Sequence, residues 1–257
     1  MNAAATTTAA ATEEGDGAAS VATLVGALLP MLLEVRTVAV GANSPIPAAA
    51  ALLAEEVSGG RVRPMILGSD RYGPFSDGGP ELFDRAGQGR IDVFFLGGGQ
   101  IDGEGNINLV GTGPYPRATT RLPGSFGSAY LYFVVPRVIL FREEHSRRVL
   151  VPKVDFVSAP GWSPPGVRRT GGPHALLTGR ALFHYERAAR RFRLASVHPG
   201  HTADEVRAAT GFAFDCPPGV AETAAPAPGH VALLAGPVRD KLATIYPEFA
   251  RKRLPAP

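Results

Sequence analysis

The chain has 257 residues, 45% of them hydrophobic, which is enough to bury the core of one large or two small domains. Its formal charge is only +3, and so small a net charge gives no reason to expect nucleic-acid binding. A single cysteine, Cys216, excludes an internal disulfide, and no Cys/His cluster has zinc spacing. We therefore expect a cytoplasmic protein without a metal site, and the 31 glycines remain to be explained.

The first 20 residues are mostly alanine, threonine, glycine and acid, which predicts a disordered tail before a single domain over residues 21–257. No basic region precedes an apolar one, so this segment does not have the pattern of a signal peptide. The apolar run Val21–Val35 contains Gly26 and Pro30 and is shorter than the about 18 residues of a membrane span. It predicts a buried helix, and we expect no membrane partner.

The next part of the chain alternates between β-prone runs and helix formers. Strands are predicted at Arg36–Val40, Val62–Leu67, Ile91–Leu96, Val134–Phe141 and Lys153–Val157, and helices at Ala48–Val57, Glu81–Ala86, Ala203–Ala209 and Val231–Leu242. Apolar strands without alternation, separated by helices, are typical of a parallel sheet covered on both faces. The segment Ala175–Val197 instead predicts an antiparallel meander beside that sheet. The fold class is therefore α/β.

Three loops follow predicted parallel strands: Gly41–Pro47, Gly68–Gly79 and Gly97–Asn108. Open α/β sheets bind ligands at this edge, where backbone N–H groups and helix N-termini converge. The run Gly97-Gly98-Gly99 would let backbone amides approach an anion, a phosphate or a developing oxyanion. It could equally be a bend that only turns the strand.

Two familiar motifs do not fit the third loop. A dinucleotide fingerprint starting at Gly97 needs glycine where Asp102 stands. An EF-hand would place its glycine on Ile107 and its bidentate glutamate on Gly113. Neither a dinucleotide nor calcium is therefore predicted.

The stretch Gly89–Asn108, which reads GRIDVFFLGGGQIDGEGNIN, resembles the signature region of β subunits of class I CoA-transferases, closest to the glutaconate type. Further segments of the chain are similar to that family and occur in the same order as in the family. They are Val40–Pro47 (VGANSPIP), Leu122–Ser128 (LPGSFGS), Asp155–Trp162 (DFVSAPGW) and His198–Val206 (HPGHTADEV), before Thr210-Gly211-Phe212. The resemblance extends from about residue 20 to the end of the chain.

This resemblance implies the CoA-transferase and sugar-isomerase fold, with an active site between this chain and an α-type subunit. Family members use a β-subunit glutamate that attacks an acyl-CoA thioester, forms an anhydride and becomes a glutamyl-CoA thioester, which is nucleophilic catalysis by carboxylate. Coenzyme A would then enter as part of the substrate, and no permanently bound cofactor is expected. The implied partners are the α-type subunit and acyl-CoA, not nucleic acid.

The resemblance also suggests roles for individual residues. The Gly98 and Gly99 amides would stabilise the oxyanion. A loop associated with CoA matches Gly124, Ser125, Gly127 and Ser128, although Phe126 stands where the glutaconate type has glycine. Further predicted CoA contacts come from Gly97, Gln100 and Asn43.

The sequence departs from the family at the nucleophile. The family glutamate lies six residues before a Gly-Pro proline, and counting back from Pro74 gives Gly68, which has no carboxylate. A shift of two residues would bring in Asp70, whose side chain is one methylene shorter. The neighbouring Ser69 is the other catalytic candidate, although the sequence shows no base beside it.

In lacking this glutamate, the chain resembles the CoA-transferase-like hydrolases of steroid ring degradation. The resemblance implies that the α subunit carries the essential carboxylate. Such an enzyme needs a general base and an oxyanion hole but no covalent glutamate. The sequence therefore favours hydrolysis or C–C ring opening of a CoA thioester. A transferase that uses Asp70, and a non-catalytic subunit that binds CoA, are the alternatives.

Overall fold

The computed structural model describes residues 19–73 and 79–256. Most of the predicted tail therefore lies outside the described residues, and so do residues 74–78 of the second predicted loop. Where the tail is described, Ala19 donates a backbone hydrogen bond to Gly179 and Ser20 caps the first helix. The division into a tail and a single domain stays a prediction.

An eight-stranded sheet organises the chain, in the spatial order β12-β11-β10-β9-β8-β3-β1-β2. Its strands are β1 Thr37–Val40, β2 Arg63–Ile66, β3 Val93–Leu96, β8 Arg137–Arg142, β9 Pro173–Thr178, β10 Ala181–Glu186, β11 Arg191–Val197 and β12 Ala221–Glu222. Two short hairpins lie outside it, β4 Gln100–Ile101 with β5 Ile107–Asn108 and β6 Gly111–Thr112 with β7 Thr120–Arg121.

The predicted α/β class is confirmed. Strands β2, β1, β3, β8 and β9 are parallel neighbours, and β1 and β3 are buried along almost their whole length, as expected for strands covered on both faces. The predicted meander is β9-β10-β11, with antiparallel pairs. It continues the same sheet because β9 also pairs with β8.

Eight helices are described: α1 Val21–Leu33, α2 Pro45–Val57, α3 Gly79–Gly87, α4 Ser128–Val134, α5 Ala203–Ala209, α6 Pro228–Ala235, α7 Pro237–Ala243 and α8 Pro247–Arg253. Helix α2 is buried without interruption from Ile46 to Ala54, because its many alanines let neighbouring helices approach closely. One core cluster packs α1, α2 and α7 on one face of the sheet, and a second lies on the other face. No helix in the described ranges is long and apolar enough to cross a membrane.

Three predicted elements are wrong in extent or kind. Lys153–Val157 forms no strand, because side chains from other loops bind its backbone amides at Val154 and Asp155. The strand predicted from Val134 begins only at Arg137, after α4 and Pro136. The helix predicted over Val231–Leu242 is two helices, α6 and α7, because Pro237 lacks the N–H that would continue α6.

Candidate active site

The carboxyl ends of β2, β1 and β3 lie side by side because these strands are parallel neighbours. The loops that follow them, at residues 67–73, 41–44 and 97–99, therefore share one edge of the sheet. This edge is where an open α/β sheet binds its ligand. The three loops chosen from the sequence thus converge at one candidate active site, as far as they are described.

The loop after β3 is a tight structure that contains the β4–β5 hairpin. Gly98 is buried, and a Cβ atom there would lie 2.8 Å from both the Gln100 carbonyl oxygen and Ile107 Cγ2. A Cβ atom at Gly99 would collide with Leu122 Cδ1. Glycine is therefore required here by close approach of neighbouring atoms.

The amides of this loop differ in availability. The Gly99 N–H donates to the Asn108 carbonyl at 2.9 Å, so it is committed to the hairpin. Among the described residues, the Gly97 and Gly98 amides make no backbone hydrogen bond outside the strands. Of the two predicted oxyanion donors, Gly98 is the one whose amide this structure leaves available, and the exposed Gly97 amide lies next to it.

Gln100, predicted as a CoA contact, is buried inside a hydrogen-bond network. Its Nε2 donates to Asp155 Oδ2 at 3.0 Å, and its Oε1 accepts from Asn108 Nδ2 at 2.8 Å and from the Asp155 N–H at 3.0 Å. The Gly113 N–H also donates to Asp155 Oδ2, at 2.8 Å. Gln100 therefore ties three loops together, and both polar atoms of its side chain are engaged within the protein.

Asp102 holds the tip of the same hairpin. Its Oδ1 accepts the N–H groups of Glu104 and Asn106 at 3.1 and 3.0 Å, and its Oδ2 accepts Asn106 Nδ2 at 3.1 Å. Asn106 Oδ1 in turn accepts the Gly161 N–H at 3.0 Å. Both oxygens of the Asp102 carboxylate are thus engaged by amide donors of the hairpin.

The loop after β2 is much less crowded. Gly68 is exposed, has φ +81°, and a Cβ atom added to it would meet nothing within 4 Å. Ser69 is buried and its Oγ accepts the Tyr72 N–H at 3.0 Å, so the hydroxyl closes the turn. Asp70 is exposed at the turn, next to this closure. Of the two catalytic candidates, Asp70 is therefore the one that presents its side chain to solvent.

The predicted CoA loop leads into α4 and is shaped by aromatic packing. Gly124 and Gly127 have φ +102° and +66°, and Gly127 is the N-cap residue of α4. Phe126 is 68% exposed, and its ring centroid lies 5.5 Å from that of Phe83 on α3. Ser128 is buried, and its hydroxyl has no hydrogen-bond partner among the described residues.

The remaining predicted contacts divide between exposed and inward positions. Ser125 is half-buried, and its carbonyl accepts the Ser128 N–H at 2.8 Å. Asn43 is exposed with φ +54°, immediately before α2. Its neighbour Ser44 donates its N–H to Tyr246 Oη at 3.4 Å, and burial raises the pKa of the Tyr246 phenol. Asn43 is therefore an exposed residue of the loop after β1, at the sheet edge that carries the candidate active site.

Asp155 was not predicted as a site residue, although it begins a segment quoted for the resemblance. It is exposed, and Gln100 and Gly113 hold its Oδ2 beside the glycine hairpin. The sequence around Asp155 is β-prone and predicts a strand. Its place beside the hairpin is evident only from its hydrogen bonds to Gln100 and Gly113, which are distant in the chain. Within the described ranges no group of three or more His, Cys, Asp or Glu side chains could hold a metal ion.

Two buried histidines, His198 and His145, form hydrogen bonds that hold the structure together. His198 is fully buried, with Nδ1 2.8 Å from Thr223 Oγ1 and Nε2 3.0 Å from the Thr178 carbonyl. Burial lowers its pKa to about 4, so the ring stays neutral at ordinary pH. His145 lies between Thr178 and Thr210, and burial lowers its pKa to about 4 as well.

Comparison with protein families gives one match, to the family described as coenzyme A transferase, over residues 68–209. Among curated proteins, the B subunit of 3-oxoadipate CoA-transferase from Pseudomonas knackmussii is 35% identical over 144 residues, which are 54% of this chain and 55% of that protein. The B subunit of glutaconate CoA-transferase from Acidaminococcus fermentans is 32% identical over 149 residues, 55% of each chain.

A cholesterol ring-cleaving hydrolase IpdB subunit of Rhodococcus jostii is 31% identical over 136 residues, 51% of this chain and 53% of that one. The chain thus matches about half the length of these curated relatives. Among solved structures, the decarboxylase AibA/AibB has a TM-score of 0.72 and 26% identity, covering 91% of this chain and 98% of that one. The glutaconate CoA-transferase of A. fermentans has a TM-score of 0.71 at 20% identity, over 91% and 98%, which shows the shared fold.

Proposed function

The chain belongs to the coenzyme A transferase family, and from this premise we propose that it is the β-type subunit of a heteromeric enzyme that acts on an acyl-CoA thioester. The relatives support this proposal because they are named as B subunits of CoA-transferases or as an IpdB hydrolase subunit. The α-type subunit would complete the active site at the edge where β1, β2 and β3 end.

Gly68 is the observation that favours hydrolysis over CoA transfer. It stands where the family resemblance places the nucleophilic glutamate, and it has no side chain to form an anhydride. Its φ of +81° is a conformation that a residue with a side chain rarely adopts, so the local backbone is itself adapted to glycine. We infer that this chain works without a covalent carboxylate and that the partner supplies the acid–base group.

The chemistry that fits is addition of water. A carboxylate of the α-type subunit would take a proton from water while the water oxygen attacks the substrate carbonyl carbon. The amides of Gly97 and Gly98 would hold the resulting oxyanion. In thioester hydrolysis the C–S bond then breaks and the thiolate takes up the proton. In ring opening a C–C bond breaks instead, and the proton goes to the carbanion.

Asp70 supports a second candidate reaction. Its exposed carboxylate lies two residues after Gly68, at the turn closed by Ser69 and Tyr72. In a transferase, the Asp70 carboxylate would attack the thioester carbonyl and expel CoA thiolate, leaving an acyl-aspartyl anhydride. The thiolate would then attack the aspartyl carbonyl, releasing the acyl group as a carboxylate and forming an aspartyl-CoA thioester. An incoming carboxylate would repeat these two steps in reverse, so that it leaves as the new CoA thioester and Asp70 is regenerated. This reaction requires a carboxylate acceptor, whereas the addition of water does not.

Acceptor dependence separates these functions. The chain is co-expressed with its α-type subunit, and CoA release from acyl-CoA is measured with and without a carboxylate acceptor. We expect release without an acceptor, and unchanged rates in Asp70→Asn and in the control Asp84→Asn, an exposed residue on α3. Acceptor-dependent exchange that only Asp70→Asn abolishes would establish the transferase. CoA binding without turnover would establish a non-catalytic subunit.

A further inference from the structure

A pocket of about 440 Å³ lies along β2, the edge strand of the sheet, and four arginines line it. Arg63 is the first residue of β2, Arg71 lies in the loop after it, Arg85 is on α3, and Arg90 lies between α3 and β3. Since these positions belong to separate segments, the fold brings the four side chains together.

The charges of this arginine pocket are poorly balanced. Arg85 pairs with Glu81 on the same helix, at 2.7 Å. Among the described residues, Arg63, Arg71 and Arg90 form no ion pair, and the Arg71 guanidinium carbon lies 5.4 Å from the Tyr72 ring centroid. The pocket is therefore positive even when Arg85 is discounted.

An acid beside the lining residue Thr37 already accepts hydrogen bonds from other groups. Thr37 also lines the pocket, and its Oγ1 donates to Asp92 Oδ2 at 2.9 Å. The same oxygen accepts the N–H groups of Arg36 and Thr37 at 3.0 and 2.8 Å. Asp92 Oδ2 is thus engaged at the start of the strands, and Asp92 forms no ion pair with the pocket arginines among the described residues.

Guanidinium groups bind phosphate oxygens through two parallel hydrogen bonds, and several of them around one pocket suit a ligand with more than one phosphate. The pocket volume lies within the range of small-molecule sites, about 300–1,000 Å³. We propose that the arginine pocket binds a diphosphate group through Arg63, Arg71 and Arg90.

The arginine pocket is separate from the glycine hairpin. Thr37 and Arg63 begin β1 and β2, at the ends of these strands away from the candidate active site. Arg71 and Tyr72 lie in the loop after β2, so the pocket borders that site on one side. The diphosphate has two chemical sources, the nucleotide end of a CoA molecule or a separate phosphorylated metabolite. Only the first source depends on the function proposed above.

Titration calorimetry of the full chain with inorganic pyrophosphate, at low salt, tests the proposal. We expect binding that weakens as salt is added, because the contacts are charge to charge. Arg63→Ala and Arg90→Ala should each weaken the affinity at least about tenfold, since each removes one charged partner. Arg168→Ala, an exposed arginine outside the pocket, should leave it unchanged.

Lysine variants at the same positions keep the charge without the planar fork, so Arg63→Lys should bind with intermediate affinity. CoA then identifies the source: competition with pyrophosphate in the wild type indicates the nucleotide end, and independent binding indicates a separate metabolite. Both results support the diphosphate site. Absence of pyrophosphate binding, or equal losses in Arg63→Ala and Arg168→Ala, would overturn it, whatever the outcome of the acceptor experiment.

Discussion

The hairpin after β3 needs its glycines because neighbouring atoms crowd them, whereas the loop after β2 needs Gly68 for its backbone conformation. Gly98 is packed against Gln100 and Ile107, while Gly68 faces open space at φ +81°. The first loop is a crowded scaffold that fixes amides in place. The second, on our proposal, has a glycine where the family resemblance places the nucleophilic glutamate. Glycine content alone does not distinguish these two uses of the residue.

The largest expected effect comes from breaking the scaffold at Asp102. Asp102→Ala removes the acceptor of the Glu104 and Asn106 amides and leaves buried donors unpaired, which should lower the free energy of unfolding by about 3 kcal/mol. Denaturant unfolding measures this, with the exposed Asp84→Ala as the matched control that should stay within about 0.5 kcal/mol of wild type. Equal losses in both variants would mean that the network does not hold the hairpin.

A smaller effect is expected when the crowded glycine gains a methyl group. In Gly98→Ala the new Cβ starts 2.8 Å from the Gln100 carbonyl, and the strain should lower the free energy of unfolding by about 2 kcal/mol. Because the amide moves with the strain, turnover in the complex should fall as well. A variant with full stability and full activity would show that the hairpin is not tightly packed.

Substitution of Gly68 should reduce the free energy of unfolding by less than substitution of Gly98. Gly68→Ala has room for its Cβ and suffers only the left-handed backbone conformation, about 1–2 kcal/mol. Gly60 is the matched control, since it also has φ +81°, is exposed and has no neighbour within 4 Å. Thermal unfolding should give similar losses for Gly60→Ala and Gly68→Ala, and a much larger loss at Gly68 would mean that the loop is packed more tightly than described.

A last effect concerns pH and neither loop, and it vanishes at neutral pH. Burial lowers the pKa of His198 to about 4, so below about pH 6.5 the unfolded chain takes up a proton that the folded chain refuses. Stability should therefore be complete above that pH and fall as pH decreases towards 4. His198→Gln should show a shallower fall in melting temperature between about pH 7 and pH 5. An unchanged slope would assign the acid sensitivity elsewhere.

Local signals explain which parts of the fold could be predicted. The predicted bounds of α5 agree with the structure because Thr202 and Glu205 form a capping box that is visible in the sequence. The Lys153–Val157 prediction failed because its β-prone residues are held by Asp102 and Gln100, about fifty positions away in the chain. Such long-range partners leave no local pattern.

The sequence also indicated part of the candidate site, whose catalytic role stays a prediction. The convergence of three loops followed from parallel strands, and Gly68 was identified by its spacing to Pro74. The sequence could not show that Gln100 turns inward, that Ser69 closes a turn, or that Asp155 stands beside the hairpin. Each of these depends on side-chain partners that only the folded chain brings together.

The central claim is that this chain forms no covalent intermediate, and intact-mass measurement tests it most directly. The complex with the α-type subunit is incubated with acyl-CoA, quenched, and the mass of this chain is recorded. We expect an unchanged mass while CoA is released. A mass increase that corresponds to an acyl or CoA adduct, mapped to Asp70 and absent in Asp70→Asn, would contradict it.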